Sequence, residues 1–231
     1  MLTRMLMTAS LLVTSPALAH FILEAPANDS EQNLLGDPQK APPCGDQGMS
    51  TPSGVVTTFV AGQTITIKLS ETIFHPGHYR VALGLNGPGD LPAEPPVDAG
   101  TTACGSAPID PNPQFPVLVD GALVHTTAFS GKQTIEVTLP ADKTCTNCTL
   151  QVLEFMSNHP LNMPGGCYYH HCATINVVAG DGGTPPEGGV PNMPSKMGCG
   201  CGATDAFASV LFGSALLLAT RRRKPHVAPR A

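Results

Sequence analysis

Histidine carries most of the chemistry available to this chain. The chain has eight histidines, and most of them fall at places where a side chain can act. His20 follows the small-x-small triplet Ala17-Leu18-Ala19. His75 and His78 lie in Phe74-His75-Pro76-Gly77-His78-Tyr79, and His159 ends Glu154-Phe155-Met156-Ser157-Asn158-His159. His170 and His171 close the run Cys167-Tyr168-Tyr169-His170-His171-Cys172. A histidine that begins a chain offers one metal two nitrogens, its α-amine and its ring Nδ1. The amine pKa is only about 7.7–8.0, so a metal displaces its proton readily near neutrality. One further imidazole completes a planar three-nitrogen set, which suits Cu(II), the strongest binder in the divalent series.

His75 is the first source of that third nitrogen. It sits in a Pro-Gly turn between two strands, where side chains are expected to project from the sandwich edge toward solvent. A zinc pair of His75 with His78 stays open, although three residues across a Pro-Gly turn is not helical spacing. A polar hairpin tip with no ligand role stays open as well. In a strand alternate side chains share a face, so Tyr169 and His171 point one way and Tyr168 and His170 the other. Only one of these pairs can look at a metal. A phenol above a copper plane is a plausible axial group, and a tyrosine in the sandwich core is the plain alternative.

These residues need strands to hold them. Val55 to Val60, Thr64 to Leu69, Tyr79 to Leu85, Thr134 to Leu139, Leu150 to Met156 and Thr174 to Val178 read as strands. Gly62, Gly87-Pro88-Gly89 and Gly131 punctuate them. No helical period of comparable length occurs between residues 20 and 179. The expected fold is all-β, an immunoglobulin-like or fibronectin-like β-sandwich with long loops. Residues 90–116 are rich in proline and poor in pattern, and read as a long surface excursion held by Cys104.

The two ends place the domain outside the cell. Arg4, the apolar run from Met5 to Val13 and the triplet before His20 have the layout of a secretory signal over residues 1–19. Cleavage there makes His20 the first residue of a domain spanning 20–179. Residues 180–198 form a Gly/Pro-rich linker. Residues 199–231 hold Cys199-Gly200-Cys201, an apolar stretch from Ala203 to Thr220 long enough for a transmembrane helix, and Arg221-Arg222-Arg223-Lys224. The domain therefore reads as exported to the cell surface or outer envelope, anchored through the membrane or released after processing.

Cysteine usage agrees with that compartment. Cys44, Cys104, Cys145, Cys148, Cys167 and Cys172 fall in the exported domain, an even set that reads as three disulfides of open connectivity. Cys145-Thr146-Asn147-Cys148 lacks the βαβ context of a redox motif and reads as a small structural loop. The net charge of -5, with no basic stripe outside the C-terminal tail, excludes nucleic acid as a natural partner.

The start His20-Phe21-Ile22-Leu23, the His75-Pro76-Gly77 turn into a strand, and the late motifs Glu154-x4-His159 and Tyr169-x-x-Cys172-Ala-x-Ile175 resemble lytic polysaccharide monooxygenases and their histidine-brace relatives. Among these the likeness is greatest to monooxygenase-like proteins of myxobacteria. The last 35 or so residues resemble the C-terminal sorting segments of myxobacterial surface proteins. The resemblance implies copper held by the amine and Nδ1 of His20 and by one ring nitrogen of His75, with Tyr169 as axial group. It gives His159 the handling of protons and implies a staple from Cys172 to Cys44. It also implies oxidative cleavage of a polysaccharide, with an external reductant and O2 or H2O2.

Departures from that pattern bear on substrate and ligand number. Cys167 stands near where many such enzymes carry a glutamine, and His78, His170 and His171 are extra candidates for the metal. Trp is absent and aromatics make up only 5% of the chain, so no flat stacking platform for a crystalline glycan is evident. A non-catalytic copper capture or storage protein using the same brace is the competing reading, and an adhesive sandwich with incidental histidines is a third.

Overall fold

Alternating side chains and turn formers divide the described residues into eight strands: β1 (His20–Ala25), β2 (Val56–Val60), β3 (Thr64–Ile73), β4 (Gly77–Gly84), β5 (Val117–His125), β6 (Gln133–Thr138), β7 (Cys145–Met156) and β8 (Tyr168–Val178). The computed structural model describes residues 20–46 and 48–180. The expected signal peptide, nearly all of the linker, and the Cys-Gly, transmembrane and Arg-rich segment lie outside the described residues. Among the described residues no helix is long and apolar enough to cross a membrane, and the only helical element is a short 3-10 turn, Pro88–Asp90.

The strands form two sheets. One has three strands in the order β1-β3-β6, all antiparallel. The other has five in the order β2-β8-β7-β4-β5, with β2 and β8 parallel and the rest antiparallel. Phe21, Leu23, Ile65, Ile67, Leu69, Ile135 and Val137 from the first sheet meet Tyr79, Val81, Leu150, Val152, Tyr169 and Ile175 from the second in one apolar core. This is an all-β sandwich, as expected. In β3 the residues between Ile65, Ile67 and Leu69 are exposed, because the outer face of the three-stranded sheet meets solvent.

Strand β4 is instead buried along its whole length, as is most of β7 and the first half of β8. The proline-rich excursion lies over the outer face of these strands. Val97 and Ala107 pack there against Cys104, Leu153, Phe155, Cys167 and Tyr168. Its carbonyls take up polar groups of the sheet: Arg80 Nη1 donates to Ala93 O at 3.0 Å and the Tyr168 hydroxyl to Pro95 O at 3.0 Å. The Cys104–Cys167 disulfide ties excursion and sheet together. The segment is therefore the cover of a second buried face as well as a surface loop.

Two strands were not evident in the sequence. In β1 the apolar run is too short to declare a period. In β5, Gly121 (φ 72) and Leu123 (φ 50) take left-handed backbone and shift the register against β4, so alternation is broken in mid-strand. Strands β3 and β8 also run further than their alternation suggested, and both extensions lead toward histidines and tyrosines.

Strand β1 is an edge strand, and its open side is closed by side chains. Phe21 N donates to Gln39 Oε1 at 3.0 Å, and Phe21 O accepts from His171 Nε2 at 2.9 Å. Gln32 pairs with both backbone groups of Leu23, each at 2.8 Å. The loop carrying these glutamines passes so near β1 that a Cβ on Gly36 (φ 97) would lie 2.0 Å from Phe21 O. The loop is stapled to β8 by Cys44–Cys172 across 128 residues of sequence. Replacing both cysteines by alanine is expected to cost roughly 2–5 kcal/mol in chemical unfolding under oxidising conditions, with no loss in wild type until reductant is added.

Candidate metal centre

Register places the first histidine. His20 pairs with Ile73 at the end of β3, two residues before His75, which brings both histidines to one end of the sandwich. Thr72 Oγ1 lies 3.0 Å from the His20 carbonyl and 2.7 Å from that of Leu35, tying strand end and loop together. His20 is 1% exposed. Its Nε2 faces Asp37 Oδ1 at 3.4 Å. With the Nε2 proton directed to that carboxylate, the Nδ1 lone pair is left free, and Nδ1 is buried with no hydrogen-bond partner. Tyr169 packs on the same ring, centroid to centroid 5.1 Å.

His75 does not project into solvent as the turn suggested. It is 7% exposed, because its ring packs edge-on against His159, centroids 4.5 Å apart. Burial, reinforced by the nearby His159 and His20 and opposed by Glu71, lowers its pKa to about 4. The ring is therefore neutral at physiological pH, and its Nε2 is a second buried atom without a partner. The Tyr169 hydroxyl is a third. Burial first, then the charges of Glu154 and Asp37, push its pKa up, so it stays a neutral phenol. His159 is 2% exposed, its Nδ1 contacts Pro160 O, and its carbonyl accepts from Cys104 N at 3.0 Å.

The structure thus groups His20, His75, His159 and Tyr169. His171 is on the Tyr169 face of β8 and meets Phe21 edge-on at 4.6 Å, with Nε2 committed to the Phe21 carbonyl. It holds the strand that carries His20. His78 and His170 lie across the sheet. His78 packs against Phe155 at 5.2 Å, and His170 Nε2 donates to Glu94 Oε1 at 2.7 Å beneath the excursion. The remaining disulfide, Cys145–Cys148, lies within β7 at a shift in its register, far along the sheet from the four grouped residues. Asp37, Gln39 and Gln32 were not singled out from the sequence, because their roles depend on a loop folding back over β1.

Buried atoms left without partners are costly, typically about 1–3 kcal/mol each, and rare unless something occupies them. Two imidazole lone pairs and a phenol are a donor set that a copper ion fits. Beside them runs a groove of about 980 Å³ lined in part by Glu31, Asn33, Asp37, Lys40, Met49 and Met163. Asp37 belongs to both groove and site. Leu34, Leu35, Met49, Leu161 and Met163 are the exposed apolar residues of the surrounding loops.

No protein-family profile matches the chain. Over 128 residues it is 29% identical to AA9 family lytic polysaccharide monooxygenase D of Phanerodontia chrysosporium, a match covering 55% of this chain and 50% of that protein. The chain therefore spans about half the length of the curated relative it matches. Among solved structures it is similar to a lytic polysaccharide monooxygenase AA15 from Thermobia domestica in the Cu(I) state. That similarity has a TM-score of 0.47 and 19% identity, and covers 69% of this chain and 99% of the other.

His171 makes the stability of this region depend on pH. Burial lowers its pKa from 6.5 to about 4, outweighing the bond to the Phe21 carbonyl. Between those values the unfolded chain binds a proton that the folded chain refuses. The contribution is complete above pH 6.5 and is lost as pH falls toward 4, roughly 3 kcal/mol in all. His171→Gln keeps a donor for Phe21 and removes the titration. Urea unfolding at pH 7 and at pH 4.5 is expected to show a smaller loss for this variant than for wild type.

Proposed function

We propose that this chain is a copper-dependent monooxygenase that cleaves polysaccharide oxidatively. The observation that carries the reading is the trio of buried, unpartnered atoms on packed residues: His20 Nδ1, His75 Nε2 and the Tyr169 hydroxyl. The sequence similarity to a lytic polysaccharide monooxygenase supports it. In this reading export and cleavage behind Ala19 free the His20 amine. That amine, His20 Nδ1 and His75 Nε2 would hold the metal, with the Tyr169 hydroxyl facing it. Residues 199–231 attach the domain to the cell surface or are removed from it.

Bound there, copper supplies one-electron chemistry toward O2 or H2O2 when an external reductant is present. The protein supplies the rest. Asp37, 3.4 Å from His20 Nε2, favours the tautomer with its proton there and Nδ1 left for the metal. The depressed pKa of His75 means that protons compete weakly for its lone pair above about pH 5, one unit over its pKa of about 4. The α-amine, ordinarily near 7.7–8.0, is then the nitrogen whose protonation weakens binding as pH falls. His159, packed on the His75 ring, is positioned to give or take a proton beside the metal. The groove shared with Asp37 seats the glycan, through polar side chains and methionine in place of aromatic stacking.

Electron paramagnetic resonance of the processed, copper-loaded protein tests the metal assignment. The expected signal is axial with about three coupled nitrogens, and His20→Ala or His75→Ala abolishes it. Incubation of the same protein with reductant and soluble or insoluble glycans is expected to release oxidised oligosaccharides. A closed four-nitrogen signal without products would turn the assignment to copper carriage. Unchanged copper affinity in both alanine variants would remove the brace altogether.

A further inference from the structure

Behind His75, on the core side, lies a second cluster with different residues. Glu71, His125 and Glu154 each direct one ligand-type atom to a common place, and these atoms all lie within 4.8 Å of one another. Glu71 comes from the end of β3, His125 from the end of β5, and Glu154 from the middle of β7. His125 and Glu154 are 8% and 0% exposed, and the Glu71 side chain is 4% exposed.

Glu71 is well supported. Its Oε1 lies 3.0 Å from His125 Nε2 and accepts from His75 N at 3.3 Å, and its Oε2 accepts from Phe129 N at 3.4 Å. Glu154 is not. It is completely buried, and neither of its oxygens has a hydrogen-bond partner. The buried Tyr79 hydroxyl stands next to it and interacts with its carboxyl, outside ideal hydrogen-bond geometry. A buried carboxylate facing a second carboxylate needs a positive charge or a proton between them.

The imidazole is set up as a ligand. His125 Nδ1 lies 2.9 Å from the Leu123 carbonyl, which accepts its proton and turns Nε2 toward the two carboxylates. A ring nitrogen held by a backbone carbonyl while the other faces a metal is the usual support of a metal-bound histidine. Leu123 adopts a left-handed φ of 50 to present that carbonyl, a conformation disfavoured for a residue with a Cβ. Phe129 covers the ring at 4.2 Å, and Tyr79 lies parallel to it at 6.2 Å.

We propose that Glu71, Glu154 and His125 form a buried second cation site, taking a divalent ion of the zinc type. With the His125 Nε2 proton displaced, two carboxylates and one imidazole would balance a dication and offer the O/O/N ligands that zinc accepts at about 2.0–2.2 Å. The three ligand atoms would have to draw closer than their present spacing to hold one ion at those distances. The ion would tie β3, β5 and β7 together directly behind His75. This site shares no atom with those assigned to copper.

The test is zinc binding to the full protein, followed by metal analysis after gel filtration, with Zn2+ alone as the probe. One equivalent is expected in a His20→Ala/His75→Ala variant, with affinity at least about tenfold weaker when Glu154→Gln is added. Anomalous scattering at the zinc edge from wild-type crystals is expected to show a peak between Glu71, His125 and Glu154. This second measurement stands even if Glu154→Gln fails to fold. Zinc lost with the His20/His75 variant, zinc indifferent to Glu154→Gln, or no anomalous peak between the three side chains would each overturn the site and leave a proton-bridged cluster.

Discussion

The position of one peptide group, that of Phe21, governs the rest of the centre. Strand β1 has a neighbour on one side only, so the backbone groups on its free side must find partners elsewhere or remain exposed. Gln39, His171 and Gln32 provide them with side chains. These bonds fix the strand's lateral position to within hydrogen-bond tolerance. The strand end that carries His20 is thereby set against Ile73, and the His75 turn follows two residues on. A one-residue slip would turn His20 to the other face and separate it from His75 and Tyr169.

The loop that performs this closure is itself held from three directions. Gln39 bonds to β1 through its side chain and accepts from His170 N through its backbone. Cys44 is bonded to Cys172, and Gln151 Nε2 donates to Pro43 O. Strand β8 supplies both ends of the arrangement. Its Tyr169 and His171 face β1, while His170 faces the excursion that covers the opposite side of the sheet. Burial on both faces is what allows consecutive histidines in one strand to lie in two different chemical environments.

The same burial explains the electrostatics. His75 and His171, sealed from water, are held neutral with pKa values lowered to about 4, whereas Glu71 holds His125 above its usual value. Neutral imidazoles keep lone pairs available to a metal. Carboxylates in the same interior are pushed the other way, as with Glu154. The two places proposed for metal ions lie near one another, since Glu71 accepts a hydrogen bond from the His75 backbone.

Period-two alternation identified the all-β sandwich and most of its strands, since the pattern of Ile65, Ile67 and Leu69 or of Ile135 and Val137 follows directly from a sheet with one dry face. The identities of His20, His75, His159 and Tyr169 as residues able to do chemistry were legible from their types and neighbours, as was the division of Tyr169 and His171 from Tyr168 and His170 between two faces. Strand β5 was hidden because Gly121 and Leu123 break its alternation. The burial of His75 was hidden because it comes from a histidine 84 positions further on in the chain. The roles of Asp37, Gln39 and the Glu71–His125–Glu154 cluster were decided only by tertiary structure. Each is a contact between segments far apart in sequence, and local propensity and period report which face a residue takes but not which distant residue it will meet there.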